Sequence, residues 1–267
     1  MGFDTVGIEV LLVAALAGLA ALVVYELRRR EPLLEVRFFT SAPFAGASAI
    51  DLCLSAALGG FLFMNTLYLQ DVRSLSPLHA GLYMLPAAAM MTVVAPLSGR
   101  LVGRFGARPS MLAGGLVVMV SGLMLTGLAP DTPVLFLLGT YAVFGFGFAL
   151  VSPPIANTAV SGMPPAQAGV AAAVATTSRQ VGITLGVAVF GAVAAGGLGT
   201  GFADATHPGW WMVAALGLSV AALGYLTTTG WARESARRTA ERSRRRPAEI
   251  SARRPRAASA RPASCGS

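Results

Sequence analysis

Seven apolar runs, each of 20 residues or more, are the feature that most constrains this chain. An α-helix rises 1.5 Å per residue and the hydrocarbon core of a bilayer is about 30 Å thick, so about 18 apolar residues are enough to span it. Charged residues make up 12% of the chain, about half of the ~25% that is typical of soluble domains. We therefore predict an all-α integral membrane protein with about seven transmembrane helices, at residues 6–26, 44–69, 78–99, 110–129, 133–156, 168–196 and 208–230.

The arginines between these runs predict how the helices are oriented. The chain has no lysine, and its arginines are concentrated in the connections 28–37 and 100–108 and in the segment 231–267. The connections between them carry one arginine, Arg73, or none. Cytoplasmic loops of membrane proteins are enriched in positive charge. We therefore expect a multi-pass protein of the cell membrane, with its amino terminus outside and its carboxyl terminus in the cytoplasm.

The segment 231–267 is rich in Arg, Ala, Ser and Pro and has no sustained apolar face. This composition predicts a disordered basic tail. A polybasic segment next to a membrane span attracts anionic lipid, so the expected partner is the lipid bilayer and not nucleic acid. No disulfide framework follows from the two cysteines, Cys53 and Cys265.

The stretch PLSGRLVGRFGARPS, at 96–110, places three arginines between two apolar runs. It resembles the major facilitator superfamily signature G-x-L-[AS]-D-R-x-G-[RK]-[RK], and the matching positions are Gly99, Leu101, Arg104, Gly106 and Arg108. The resemblance implies a gating role on the cytoplasmic side for a loop that also includes Arg100. The signature's acid is replaced by Gly103, so the usual arginine–acid contact cannot form within this motif. The residues alone leave a second interpretation open, in which the arginines only anchor a loop in the cytoplasm.

Other stretches resemble the fourteen-helix drug:proton antiporters of this superfamily. They include ELRRREPLLEVRFFTSAPFAG, LYLQDVRSLSPLHAGLYMLPAA and a long stretch that contains SRQVGITLG. The resemblance implies a linking transmembrane helix at 1–27, a cytoplasmic linker at 28–43, a six-helix carboxyl-terminal transporter domain at 44–230 and the tail at 231–267. It also implies multidrug-type efflux by proton antiport, with protons and an amphipathic small molecule as ligands.

The same resemblance covers only the second part of such a transporter. We therefore expect a truncated or split transporter, in which a complementary amino-terminal half is a possible partner. The alternatives are an inactive remnant and a structural or regulatory membrane subunit. An integral membrane enzyme is disfavoured, because no catalytic set, metal cluster or phosphate-binding G-x-x-x-x-G-K-[ST] motif occurs in the sequence. No catalytic residue, metal ligand or cofactor is therefore predicted.

Two charged residues lie inside the apolar runs, Asp51 and Arg179. A charge at the bilayer centre costs about 2.5–3.5 kcal/mol on insertion scales, so such residues generally face a cavity or a partner. Both runs enter from the predicted cytoplasmic side, which places Asp51 about 12 Å deep and Arg179 about 16–20 Å deep. Asp51, Arg179 and the adjacent Gln180 are therefore candidate residues for proton or substrate binding in a cavity. The alternatives are a purely structural ion pair and an Asp51 side chain that snorkels to the membrane interface.

Small and polar residues give two weaker signals. Gly182 and Gly186 form a G-x-x-x-G pair, which predicts close helix packing, with a sliding surface against a partner domain as the alternative. Asn65, Tyr68 and Gln70 cluster near the outer end of the second run. We expect them to be interfacial anchors and, as the alternative, to line a cavity.

Overall fold

The computed structural model describes residues 42–160, 168–196 and 202–227, with five isolated helical positions at 14, 17, 18, 21 and 25. The chain divides into two compact units, residues 1–40 and residues 41–267, and the helices described below belong to the second. Apart from the five isolated positions, the predicted first span 6–26 lies outside the described residues. So do most of the linker 28–43 and all of the tail 231–267.

The described residues of the second unit form six long helices. They are α1 (Ala42–Leu67), α2 (Pro77–Phe105), α3 (Ala107–Leu125), α4 (Val134–Val160), α5 (Ala168–Gly196) and α6 (Phe202–Thr227). Each is long and apolar enough to cross a membrane. Within the described residues there is no β-strand. The all-α membrane fold is therefore confirmed for the last six predicted spans.

The boundary between α2 and α3 differs from the prediction. The third span was expected to end at residue 99, but α2 continues through Arg100 and Arg104 to Phe105. Arginine is a good helix former, and its long side chain can reach the interface while its backbone stays helical. Gly106, with φ of 81°, is the single residue between the two helices. The expected arginine loop is therefore two helix ends that meet at one glycine, and we name this membrane face the arginine end.

The six helices pack as two similar groups of three. α1 packs along α5 and against α6, while α4 packs along α2 and against α3. α3 and α6 also pack on each other. Within an apolar stretch of 18 residues, only 17% and 22% of α2 and α5 are buried, against 44% to 61% of the other four helices. α2 and α5 are therefore peripheral helices with wide uncovered faces.

Aromatic side chains join α1 to α4 in the core. The rings of Phe61 and Phe144 stack in parallel at 3.9 Å between centroids, and Tyr141 meets Phe61 edge to face at 5.6 Å. All three side chains are fully buried. Aromatic pairs stabilise packing beyond the effect of the area that they bury, and they do so in specific ring geometries. This cluster therefore fixes how α1 lies against α4.

At the end opposite the arginines, α1 continues as a short π-helical segment, Tyr68–Val72. Asn65 and Tyr68 are buried in the core there, and the side-chain amide of Asn65 donates a hydrogen bond to the carbonyl oxygen of Phe61 at 2.8 Å. The prediction that these two residues are interfacial anchors was therefore wrong. The residue pattern of α1 could not show that this end of the helix packs against the α3–α4 connection, which is distant in sequence.

Candidate functional site

α1 and α5 both begin at the arginine end and run in parallel. Glycines let them approach closely: a Cβ added at Gly182 would lie 2.6 Å from the carbonyl oxygen of Leu52, and one added at Gly186 would collide with that of Ala56. The close packing predicted for this G-x-x-x-G pair is confirmed. Its partner is α1 of the same chain, so the alternative of a sliding surface against another domain is not supported.

Asp51 and Arg179 meet across this seam between α1 and α5. The guanidinium of Arg179 donates a hydrogen bond from Nη2 to Oδ1 of Asp51 at 3.5 Å. Asp51 lies nine residues after the start of α1 and Arg179 eleven residues after the start of α5, which is about 14 Å and about 17 Å along their helices. The similar depths, together with the parallel direction, are what allow a contact between residues that are 128 positions apart.

The two partners differ in their access to the surroundings. The side chain of Asp51 is 3% exposed, whereas that of Arg179 is 43% exposed on the uncovered face of α5. A buried ion pair is weak evidence for stability, because desolvation of both charges offsets much of their attraction. Among the described residues this is the single ion pair. Its position inside an apolar bundle is therefore more typical of a functional site than of a stabilising one.

The contact leaves polar atoms of the pair unsatisfied. Oδ2 of Asp51 and Nε of Arg179 are buried and have no hydrogen-bond partner. Oγ of Ser55, one helical turn after Asp51 on the same face of α1, is also buried without a partner. The sequence analysis did not identify Ser55. The spacing of four residues from Asp51 on a helix was the signal that could have identified it.

Gln180 does not join the pair. It lies on the exposed side of α5, next to Arg179 in sequence, and its backbone carbonyl accepts a hydrogen bond from the hydroxyl of Thr184 at 2.8 Å. Its side chain therefore points away from the seam that holds Asp51. Of the three predicted cavity residues, the structure brings two together and leaves the third on the uncovered face.

The residues of the predicted gating segment lie at the arginine end. Gly99 is half-buried in α2, Arg100 and Arg104 are exposed on its last turns, and Gly106 joins α2 to α3. In the first turn of α3, the guanidinium of Arg108 lies over the ring of Tyr225 in α6, 4.5 Å from the ring centroid. Arg108 is therefore held within this domain.

Arg100 and Arg104 show no such contact. Across the described parts of the chain, neither has a carboxylate within ion-pair distance. Gly103, which stands at the signature's acidic position, is exposed, and an added Cβ would meet nothing within 4 Å. The free guanidiniums and the open surface at Gly103 lie on the same helix end, where a second domain could reach them.

No group of three His, Cys, Asp or Glu side chains that could hold a metal ion occurs in the part of the chain that the structure describes. The charged groups that the structure does bring together are those of Asp51 and Arg179, and the buried hydroxyl of Ser55 lies one turn further along α1. The carboxylate can take up and release a proton, whereas the hydroxyl and the permanently charged guanidinium can bind polar groups by hydrogen bonds.

Comparison with known proteins places this geometry in context. A family model described as the Major Facilitator Superfamily matches residues 4–187. The multidrug resistance protein Stp of Mycobacterium tuberculosis is 36% identical over 195 residues, which are 73% of this chain and 36% of that relative. The tetracenomycin C resistance and export protein of Streptomyces glaucescens is 33% identical over 193 residues, which are 72% of this chain and 36% of that relative.

A third relative, the drug efflux pump JefA of Mycobacterium tuberculosis, is 31% identical over 192 residues, covering 72% of this chain and 38% of that relative. The chain thus matches a little over a third of the length of each of these relatives. The comparison therefore shows a partial match to transporters of this superfamily.

Proposed function

Since the chain belongs to the major facilitator superfamily, we propose that it forms one half of a transporter that exports amphipathic, drug-like small molecules across the cell membrane. The resemblance to proteins that are named for multidrug resistance, drug efflux and antibiotic export supports the substrate class. Transport by alternating access needs two halves that rock about a central site. A complementary amino-terminal half is therefore the proposed partner.

The uncovered faces of α2 and α5 support this arrangement. They are the least buried of the six helices, and α5 carries the partly exposed guanidinium of Arg179. A second half packed against α2 and α5 would cover these faces and enclose the guanidinium in a polar cavity. Gln180, on the exposed side of α5, would line the same cavity as a hydrogen-bonding group for the substrate.

The observation that carries the proposal is the contact of a buried carboxylate with an arginine whose side chain is partly exposed. Protonation of Asp51 would neutralise the carboxylate and remove its attraction for Arg179. Arg179 would then be free to turn towards the cavity and contact a substrate or the partner half. Loss of the proton would restore the pair, so export of a substrate and uptake of a proton would be coupled through one contact.

The arginine end is proposed to face the cytoplasm, because arginines collect on the cytoplasmic side of membrane proteins. Under this orientation Arg100 and Arg104 belong to a cytoplasmic gate, with Gly99 and Gly106 shaping the helix ends and Arg108 tying the segment to α6. The division into a linking helix at 1–27, a linker at 28–43, a transporter domain at 44–230 and a basic tail at 231–267 stays a prediction.

The proposal is tested by efflux of ethidium, an amphipathic cation, from a drug-sensitive bacterial host. The chain is produced alone and together with a complementary amino-terminal half, and each is compared with Asp51→Asn and Arg179→Gln. We expect proton-dependent efflux only when both halves are present, with a loss of at least tenfold in either variant. Membrane abundance of each variant is measured as the control.

Unchanged efflux in both variants at equal abundance would remove the role of the pair. Ethidium retention by cells that contain both halves in stable association would instead favour a structural or regulatory membrane subunit.

A further inference from the structure

The seam between α1 and α5 contains three unpartnered polar atoms on two successive turns. On the first turn Asp51 faces Arg179, and on the second Ser55 faces Gly182, where a Cβ added to the glycine would lie 2.8 Å from Cβ of Ser55. The unpartnered atoms are Oδ2 of Asp51, Nε of Arg179 and Oγ of Ser55. We name these three residues the seam site.

The hydroxyls of Ser55 and Ser110 are fully buried without a hydrogen-bond partner among the described residues, unlike several other helical hydroxyls of this chain. Those of Thr66, Thr92, Thr140, Thr176, Thr184 and Ser219 each donate a hydrogen bond to the carbonyl oxygen four residues earlier. Ser55 makes no such bond, although it is fully buried in the middle of α1. A buried hydroxyl that forgoes its local acceptor is available to a partner in the seam.

The chemistry of the three atoms selects the occupant. Oδ2 of Asp51 accepts a hydrogen bond, Nε of Arg179 donates one, and Oγ of Ser55 can do either. A cation would be repelled by the guanidinium and an anion by the carboxylate. A small neutral molecule that both donates and accepts satisfies all three atoms, and water has that capacity. Buried waters typically make about three hydrogen bonds to groups that would otherwise be unsatisfied.

We propose that the seam site binds one buried water molecule, which donates to Asp51, accepts from Arg179 and hydrogen-bonds with the hydroxyl of Ser55. Its role rests on the proposed function, in which Asp51 gains and loses a proton. The side chain of Asp51 is almost inaccessible, whereas that of Arg179 reaches the uncovered face of α5. The water then takes up a proton from solvent at that face and releases one of its own to the carboxylate. The guanidinium stays charged and only orients the water, and Ser55 is the positioning residue that holds it.

The binding of water is tested without transport, by thermal unfolding of the full chain in detergent. Ser55→Ala is measured in the native sequence and in the double variant Asp51→Leu/Arg179→Met, which removes both charges together and so leaves no unpaired buried charge. The matched control is Ser121→Ala, because Ser121 is equally buried but its hydroxyl donates to the carbonyl oxygen of Val118 in its own helix.

If the water is present, Ser55→Ala lowers the melting temperature of the native chain by about 2–4 °C, because one partner of a buried hydrogen-bond network is lost. The same substitution has no effect in the double variant, since two of the three partners of the water are already missing. Ser121→Ala changes the melting temperature by less than Ser55→Ala does in the native chain, and by the same amount in both backgrounds, because its hydroxyl bonds within its own helix.

Two results would overturn the proposal. In a dry seam, Ser55→Ala removes a hydroxyl that bonds to nothing, so the melting temperature stays the same or rises. If Ser55 contributes only packing, the substitution lowers the melting temperature equally in both backgrounds, because residues without a shared partner act additively. Neither result depends on efflux, so failure of the water site is distinguishable from failure of the proposed transport function.

Discussion

Tyr68, at the end of α1 opposite the arginines, donates its hydroxyl to the carbonyl oxygen of Ala129 in the α3–α4 connection at 2.6 Å. Arg73 contacts the same connection, donating to the carbonyl oxygens of Pro130 and Thr132. Backbone carbonyls in a connection lack helical partners, so side chains often bond to them. These two side chains bond to three carbonyls of the connection, of which that of Ala129 also accepts from the N–H of Thr132. The two residues clamp the connection onto α1, and α1, α3 and α4 are thereby held as one unit at this end.

Tyr68→Phe removes the hydroxyl and keeps the ring. We expect the free energy of unfolding to fall by about 1 kcal/mol, since one hydrogen bond is lost, while the carbonyl oxygen of Ala129 keeps the bond from the backbone N–H of Thr132 at 3.1 Å. This is measured as a melting temperature about 2–4 °C lower in detergent. Tyr83→Phe is the control, because no hydrogen bond of the Tyr83 hydroxyl occurs among the described residues. Equal melting temperatures for the two variants would show that the clamp contributes nothing measurable.

The α1–α5 seam gives a prediction about two glycines of the same helix. A Cβ at Gly186 would collide with the carbonyl oxygen of Ala56, whereas one at Gly191 would lie 3.5 Å from Cζ of Phe63, an ordinary contact. We expect Gly186→Ala to destabilise the chain by about 1–3 kcal/mol through overpacking, because the helices must move apart. Gly191→Ala should be neutral or slightly stabilising, since alanine favours the helix.

Thermal unfolding of both glycine variants in detergent measures this difference. The comparison keeps the type of substitution and the helix constant, so only the facing residue differs. A Gly186→Ala variant as stable as Gly191→Ala would mean that the backbones of α1 and α5 do not approach as closely as the structure shows.

The existence of the helices could be predicted from the length of the apolar runs, whereas the residues at which they end could not, because the ends depend on local contacts. Each of the last six predicted spans is a helix, because about 20 consecutive apolar residues have few alternatives in a bilayer. The end of α2 was misplaced since three arginines were taken to terminate a span, although arginine continues a helix well. Gly106, with its positive φ, marks the true end.

The candidate site was predictable only in part. Counting residues from the start of each run placed Asp51 and Arg179 at compatible depths, and the structure brings them together. The same counting could not show which neighbouring side chains share the seam, so Ser55 was missed. Nor could it find the clamp of Tyr68 on Ala129, because those residues are 61 positions apart and lie in elements with no sequence signal for contact.

The orientation in the membrane yields a labelling prediction. In a chain without its two native cysteines, Asp131→Cys and Arg104→Cys place single thiols at exposed positions on opposite faces of the bundle. Because the arginine end is proposed to face the cytoplasm, a membrane-impermeant maleimide should label residue 131 in intact cells. Residue 104 should react only after permeabilisation. The reverse pattern would place the arginine end outside and contradict the proposed gate.

The three arginines at the arginine end have different surroundings. These differences allow a test of whether they only anchor the segment in the cytoplasm or also form a gate. Arg108 stacks on Tyr225 of the same domain, an interaction of about 0.5–1 kcal/mol at an exposed site. Arg104 and Arg100 are exposed and contact no carboxylate among the described residues. Gly103 has replaced the acid of the family signature, so an acceptor for Arg104 has to come from helix-end carbonyls or from a partner half.

The last prediction therefore compares Arg104→Lys with Arg100→Lys. A lysine keeps the positive charge that orients the helix, but its ammonium cannot bridge two acceptors as a planar guanidinium does. We expect both variants to match the native chain in membrane abundance when it is produced alone. With a complementary half, Arg104→Lys should lower ethidium efflux at least fivefold, while Arg100→Lys leaves it unchanged. Equal efflux by the two variants in the assembled transporter would reduce the segment to a topological anchor, since a directed contact of Arg104 with the partner half would then be absent.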